Sequence, residues 1–228
     1  MGATCSRNDE KKFENQCKEA ETKVVLPTLD IRKIVEEIDQ VECEMKVFDM
    51  KGIINVYAKH GVPEADFNKK DGVFQTYFTV LESAINVRQG FIAAMLPVCK
   101  GSFADKKDIL WHEVLENDEN QISYEQLIGM IHLVVILSAK TVPEIVRDDK
   151  TKQGNEIDPD ILKLINCDDE ILVKYAIKYY PDKPKEGDIM HKHEYTTWMM
   201  KIDGAGLFSS EYHRKALLEF IDEQKKQN

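Results

Sequence analysis

The sequence predicts an all-α protein. After residue 28, apolar side chains recur at intervals of three and four positions, a spacing that places them on one face of a helix. The strict alternation that is typical of a half-buried strand is absent. Hydrophobic residues make up 43 % of the 228 residues, which is enough to bury a sizeable core in one large domain or two small ones.

Helices are expected at five stretches. In chain order these are residues 29–45, 72–84, 124–137, 158–180 and 209–228. The third stretch is apolar nearly all round, which predicts deep burial, whereas the others are amphipathic. Asp158 or Asp160 is expected to cap the fourth helix, and Ser209 or Ser210 is expected to cap the last.

The first 28 residues are polar and are expected to form a flexible tail that carries lipid, with a fraying helix over residues 7–28 as the alternative. The chain begins MGATCS, so that removal of Met1 would expose Gly2 for N-myristoylation, with Ser6 at the required position. One myristoyl chain binds a membrane only marginally, with an association constant on the order of 10⁴ M⁻¹, so a second signal is needed. The charges up to Lys23 cancel, which leaves palmitoylation of Cys5 as the candidate. The alternative is an accidental match in an ordinary tail.

Composition and motifs exclude several classes of function. The net charge is −10, which disfavours a nucleic-acid partner. The five cysteines are scattered without a CxxC pair, as in a protein of the reducing cytosol, and no apolar stretch long enough to span a membrane is expected. No nucleotide-binding, metalloprotease or serine-hydrolase motif occurs, so we expect a non-enzymatic protein at the cytosolic face of a membrane.

A repeat runs through the chain. Three segments share an isoleucine, a few polar residues and then an aromatic residue or leucine that opens a helix. Their isoleucines are Ile85, Ile122 and Ile189, and the first two are 37 residues apart. That interval is the length of a helix–loop–helix unit.

The segment GSFADKKDILWHEVLENDENQISYEQLIGMI resembles an EF-hand, and with the preceding FIAAMLPVCK it is similar to the third-hand region of calcineurin B and of neuronal calcium sensors. The segment HEYTTWMMKIDGAGLF resembles the outgoing helix of the fourth hand. The segment GIINVYAKHGVPEADF resembles a calmodulin-type first hand. The resemblance implies two lobes of paired helix–loop–helix units, at residues 29–100 and 101–228, with the polar stretch 147–160 as an inserted loop. The Met-Gly start also matches the acylated members of that family.

The loops depart from the Ca²⁺-binding pattern of that family. With Ile122 at loop position 8, position 1 is Leu115 and position 12 is Gln126, neither of which is a good ligand. We therefore expect largely Ca²⁺-independent behaviour and no bound cofactor. The weak metal candidates that remain are Asn117, Glu119, Asp182 and, in a loop longer by one residue, Glu194.

These observations together predict a membrane-anchored adaptor or regulatory subunit. A groove between paired helices would receive an amphipathic helix of a protein partner, and Trp111 and Trp198 are the candidates to line it, with burial in the core as the alternative. Two other functions remain open. One is a calcium sensor that uses a single atypical loop, and the other is a structural subunit of a large cytoskeletal or ciliary assembly.

Overall fold

The computed structural model describes residues 3–24, 28–70, 72–82, 87–115, 121–178, 187–201 and 204–227. It confirms the all-α class. The helices of the first half are α1 Ala3–Lys23, α2 Ile31–Met45, α3 Met50–Lys59, α4 Glu64–Phe67, α5 Val73–Glu82 and α6 Val87–Met95. Those of the second half are α7 Phe103–Ile109, α8 Tyr124–Ile136, α9 Val142–Lys152, α10 Pro159–Ile165, α11 Asp169–Ile177, α12 Lys192–Lys201, α13 Gly204–Leu207 and α14 Ser210–Gln227. Two π-helical segments, Leu110–Leu115 and Leu137–Thr141, extend α7 and join α8 to α9.

The first half closes around an aromatic cluster. Tyr57 lies at its centre, with its ring centroid 5.2 Å from Phe67 and 5.3 Å from Phe74, both in edge-on geometry. The predicted apolar face of α2 is buried, and Asp30 caps that helix by accepting the backbone N–H of Arg32. Buried apolar residues from the two halves form one continuous cluster, so the halves share a core.

The second half contains a strand pair that the sequence pattern did not predict. Strands β1 Gln121–Ser123 and β2 Ile189–His191 are antiparallel, with Ile122 opposite Met190. Three residues are too few to show a period of two, which is why strands this short escape a search for alternation. The repeat aligns Ile122 with Ile189, but the residue opposite Ile122 in the strand pair is Met190. Met190 is buried, whereas Ile189 is 53 % exposed.

Residues 124–152 form one continuous helix through α8, the second π-helical segment and α9. Within the described part of the chain, this is the one helix that is long and apolar enough to cross a membrane, which differs from the expectation that no such stretch exists. Of its most apolar window, 67 % is buried inside the fold, and the core helix of a soluble protein passes the same test. The predicted deep burial of 124–137 agrees with this packing.

Two of the expected segment boundaries differ from the structure. Helix α1 occupies much of the expected tail and packs against α9. Helix α9 continues to Lys152, so the expected loop at 147–160 is reduced to the short stretch 153–158. Of the alternative caps, Asp158 caps α10 through the N–H of Asp160, and Ser209 accepts the N–H of Tyr212 in α14.

Candidate functional site

Arg214 is the most unusual buried side chain of the described chain. It lies in α14, is 1 % exposed, and would be costly to bury without partners because a charged group loses its hydration. Its Nη1 donates to the carbonyl oxygen of Ser138 at 3.0 Å and to Oε1 of Glu21 at 2.7 Å. Its Nε donates to Oε2 of Glu14 at 3.0 Å, and its Nη2 donates to the other oxygen of that carboxylate. The guanidinium is therefore held by two carboxylates from α1 and one carbonyl.

The two carboxylates are themselves nearly buried. The side chains of Glu14 and Glu21 are 14 % and 11 % exposed. Burial alone would lower the pKa of Arg214, but the hydrogen bonds and negative charges of the two carboxylates outweigh it and keep that pKa above its usual range. Removal of any one of the three groups would leave an uncompensated buried charge, which is strongly destabilising.

Helix α1 presents a narrow apolar seam beside these carboxylates. The seam consists of Phe13, Cys17, Ala20 and Val24, which are all buried. The intervals of four, three and four place them on one face of a helix. Glu14 and Glu21 are seven residues apart, two turns along the same helix, so both reach the same side of the seam.

The floor and walls of the groove that holds α1 come from the second half of the chain. Helix α1 packs against α9, and α14 packs against the π-helical segment Leu137–Thr141, which contributes the Ser138 carbonyl. At the rim, Lys18 pairs with Glu211 at 2.7 Å and Lys23 pairs with Asp149 at 2.5 Å. These rim pairs are solvent-exposed, and such pairs contribute about 0–1 kcal/mol each. We call this arrangement the Arg214 groove.

Helix α1 does not fill the space beside it. A cavity of about 390 Å³ lies between α1, α10 and α14. Phe13 and Leu218 are among its apolar lining residues, and Lys18, Lys163 and Asp222 are among its charged ones. Space beside the N-terminal half of the docked part of α1 is therefore left unfilled.

Two titratable groups beside Arg214 are held in their neutral forms. Burial lowers the pKa of His213 to about 4, and its Nε2 lies 2.9 Å from the carbonyl oxygen of Leu207, an acceptor, so Nε2 carries the hydrogen. Burial raises the pKa of the Cys17 thiol to about 12, although the nearby Arg214 charge acts in the opposite direction. A buried thiol with so high a pKa is inert as a nucleophile.

The structure places Trp111 and Trp198 in the core and not along an open groove. They are 1 % and 2 % exposed. The Tyr195 ring lies between them, with its centroid 4.9 Å from that of Trp111 and 6.0 Å from that of Trp198. Of the two expected locations, a partner groove or the core, the structure thus places both rings in the core.

The predicted metal candidates are only partly described. Asn117, Glu119 and Asp182 lie outside the described residues. Glu194 acts as a helix cap, since its Oε2 accepts the backbone N–H of His191 at 2.8 Å. Across the described ranges, no group of three or more His, Cys, Asp or Glu side chains is arranged to hold a metal ion.

The predicted acylation sites, Gly2 and Cys5, lie at the very start of the chain. Gly2 lies outside the described residues, and so does the side chain of Cys5, whose backbone belongs to α1. The structure does place the start of α1 immediately after Gly2. An acyl group on either residue would therefore sit at the N-terminal end of the helix that occupies the Arg214 groove.

Sequence reasoning missed the Arg214 groove. The signal was present in the seam of Phe13, Cys17, Ala20 and Val24 with its two flanking glutamates, but it is short and lies among charged residues. Arg214 itself carries no local signal, because an arginine in an amphipathic terminal helix is ordinarily exposed.

Comparison with known proteins adds no relative. No family model matches the chain, and neither a curated protein nor a solved structure matches it. The function therefore has to be inferred from the geometry of the described residues.

Proposed function

We propose that the chain is a non-catalytic, membrane-anchored, EF-hand-like adaptor or regulatory subunit that binds a partner helix largely independently of Ca²⁺. The observation that carries the proposal is the Arg214 groove, in which the fold holds an amphipathic helix, α1, by an apolar seam and a charge cluster. Reception of an amphipathic helix in a groove is a common mode of peptide recognition.

The strand pair supports the EF-hand-like part of the proposal. It joins the segment between α7 and α8 to the segment between α11 and α12, so two of the repeat units lie side by side. The two units are also alike in detail. The N–H of Ser123 donates to Oε1 of Gln126 at 2.8 Å, and the N–H of His191 donates to Oε2 of Glu194 at 2.8 Å. Gln126 and Glu194 are therefore equivalent, each four residues beyond the paired residue Ile122 or Met190.

The same equivalence supports Ca²⁺ independence. In a Ca²⁺-binding EF-hand, the last loop position supplies a bidentate glutamate. Here one of the two equivalent positions is the neutral Gln126, and both side chains are engaged as helix caps. Neither would need a metal ion to hold its helix in place.

The anchor is tested by mass and by sedimentation. Protein purified from its native cell should carry the added mass of a myristoyl group and should sediment with phosphatidylcholine vesicles. Gly2→Ala should lose both properties, whereas Asn8→Ala, a change outside the acylation signal, should retain them. Wild-type protein that is unmodified, or a Gly2→Ala variant that still sediments, would contradict the anchor and would favour the assembly-subunit alternative.

A further inference from the structure

We infer that the Arg214 groove is itself the partner site and that α1 occupies it as a removable substitute for the partner. The occupant it fits is an amphipathic helix with two carboxylates seven residues apart beside an apolar seam. This inference rests on the proposed function and names the chemistry of the partner helix.

The charge of Arg214 sets the chemistry of the occupant. The guanidinium is 1 % exposed, and the wall of the groove supplies one of its four hydrogen bonds, from the Ser138 carbonyl oxygen. The other three N–H···O contacts go to Glu14 and Glu21, which belong to the occupant. An occupant without carboxylates would leave a buried cation largely uncompensated, which is strongly unfavourable. The groove therefore selects acidic helices.

The interactions that keep α1 in the groove are concentrated at Arg214 and its two carboxylate partners. Two of the four seam residues, Cys17 and Ala20, are small, and a cavity of about 390 Å³ remains beside the helix. The rim pairs Lys18–Glu211 and Lys23–Asp149 are exposed and contribute little. A partner helix with a larger apolar residue at the position of Asn15, which lines that cavity, would bury more surface in the same groove, at about 25 cal/mol per Å².

The test uses the full chain and a pair of labelled peptides. The acidic probe is a fluorescein-labelled peptide with the sequence of residues 10–24 and the change Asn15→Leu. The control peptide carries Glu14→Gln and Glu21→Gln in addition. The receptor is the full chain with Glu14→Gln and Glu21→Gln, which weakens the hold on its own α1, compared with the wild-type chain.

The expected result is a double preference. The acidic probe should bind the Glu14→Gln/Glu21→Gln chain at least about tenfold more tightly than the wild-type chain, because the resident helix competes less well. The control peptide should bind that variant chain at least about tenfold more weakly than the acidic probe, and Arg214→Met should abolish the difference between the peptides. Equal binding of the two peptides, or no saturable binding at about 100 μM, would overturn the inference.

A second measurement covers the case in which the variant chain fails to fold. In the wild-type chain, saturating acidic probe should increase hydrogen exchange at the backbone amides of residues 12–24, since the probe displaces them. No change in that exchange would overturn the inference. So would a dimer in which α1 of one copy fills the groove of another, seen by light scattering. Failure of peptide binding with the Gly2-dependent membrane anchor intact would refute only the assignment of the partner site.

Discussion

Glu14 and Arg214 lie 200 residues apart in the sequence, and their side chains share two hydrogen bonds in the interior of the protein. The contact fixes the first helix to the last one. Glu21 also accepts a hydrogen bond from this guanidinium. Both buried carboxylates of α1 are therefore paired with the same cation. The N-terminal segment is thus part of the folded structure, and the hydrogen bonds of Glu14 and Glu21 to the last helix both go to a single residue.

Arg214→Met should release α1. The change removes the cation and leaves two buried carboxylates without it, and we expect the free energy of unfolding to fall by about 3 kcal/mol. Urea denaturation followed by far-ultraviolet circular dichroism measures the loss. The matched control is Lys18→Ala, which breaks the exposed pair with Glu211 and should cost less than about 1 kcal/mol. Equal losses in the two variants would show that the buried cluster contributes no more than a surface ion pair.

The helices were predictable from the sequence where their apolar faces are wide. The isoleucines and valines of α2 recur over four turns, and they are buried as expected. The seam of α1 is a single narrow row that includes Ala20 and Cys17, so its hydrophobic signal is weak among the ten charged residues of the same helix. The docked position of α1 depends on Arg214, which lies 200 residues from Glu14 in the sequence, and a local sequence pattern cannot indicate so distant a contact.

Little of the candidate site was predictable. A helix-binding groove lined by Trp111 and Trp198 was expected, but both rings pack around Tyr195 in the core, and the buried charge cluster that holds α1 lies at α9 and α14. Large aromatic residues at helical spacing suit both a core and a groove, so residue type alone could not distinguish them.

Stability should depend on pH through His213. Its pKa is lowered from 6.5 to about 4 by burial, so between these values the unfolded chain binds more protons than the folded one. Stability is then complete above about pH 6.5 and falls as the pH decreases toward 4, with a loss of about 2 kcal/mol between pH 7 and pH 5. The measurement is urea denaturation at several pH values.

His213→Gln is the control for that dependence. The glutamine amide can still donate to the Leu207 carbonyl but does not titrate. The variant should therefore lose most of the slope between pH 7 and pH 5. An unchanged slope would show that His213 is not the group responsible.

Calcium should leave the tryptophan emission unchanged. Trp111 and Trp198 are buried around Tyr195, so their fluorescence reports the packing of the second half of the chain. Addition of Ca²⁺ to about 1 mM, roughly a hundredfold above the weakest sensor dissociation constants of about 10⁻⁵ M, should shift neither the wavelength nor the intensity of the emission. A saturable shift in the wild-type chain that Glu194→Ala removes would instead support the calcium-sensor alternative.

The most direct test of a removable α1 is the alkylation of two buried cysteines. Cys17 lies in the seam of α1 and Cys99 lies in the core after α6; they are 0 % and 3 % exposed, and burial raises the pKa of each thiol to about 12. Their chemical reactivities are therefore matched, and a difference in rate reports how often each becomes exposed.

Iodoacetamide labelling of the native full chain, read by peptide mass spectrometry, should modify Cys17 at least about tenfold faster than Cys99. Glu14→Gln/Glu21→Gln should accelerate Cys17 alone. Equal rates at the two cysteines in both proteins would mean that α1 leaves its groove only when the whole chain unfolds, which would contradict the account.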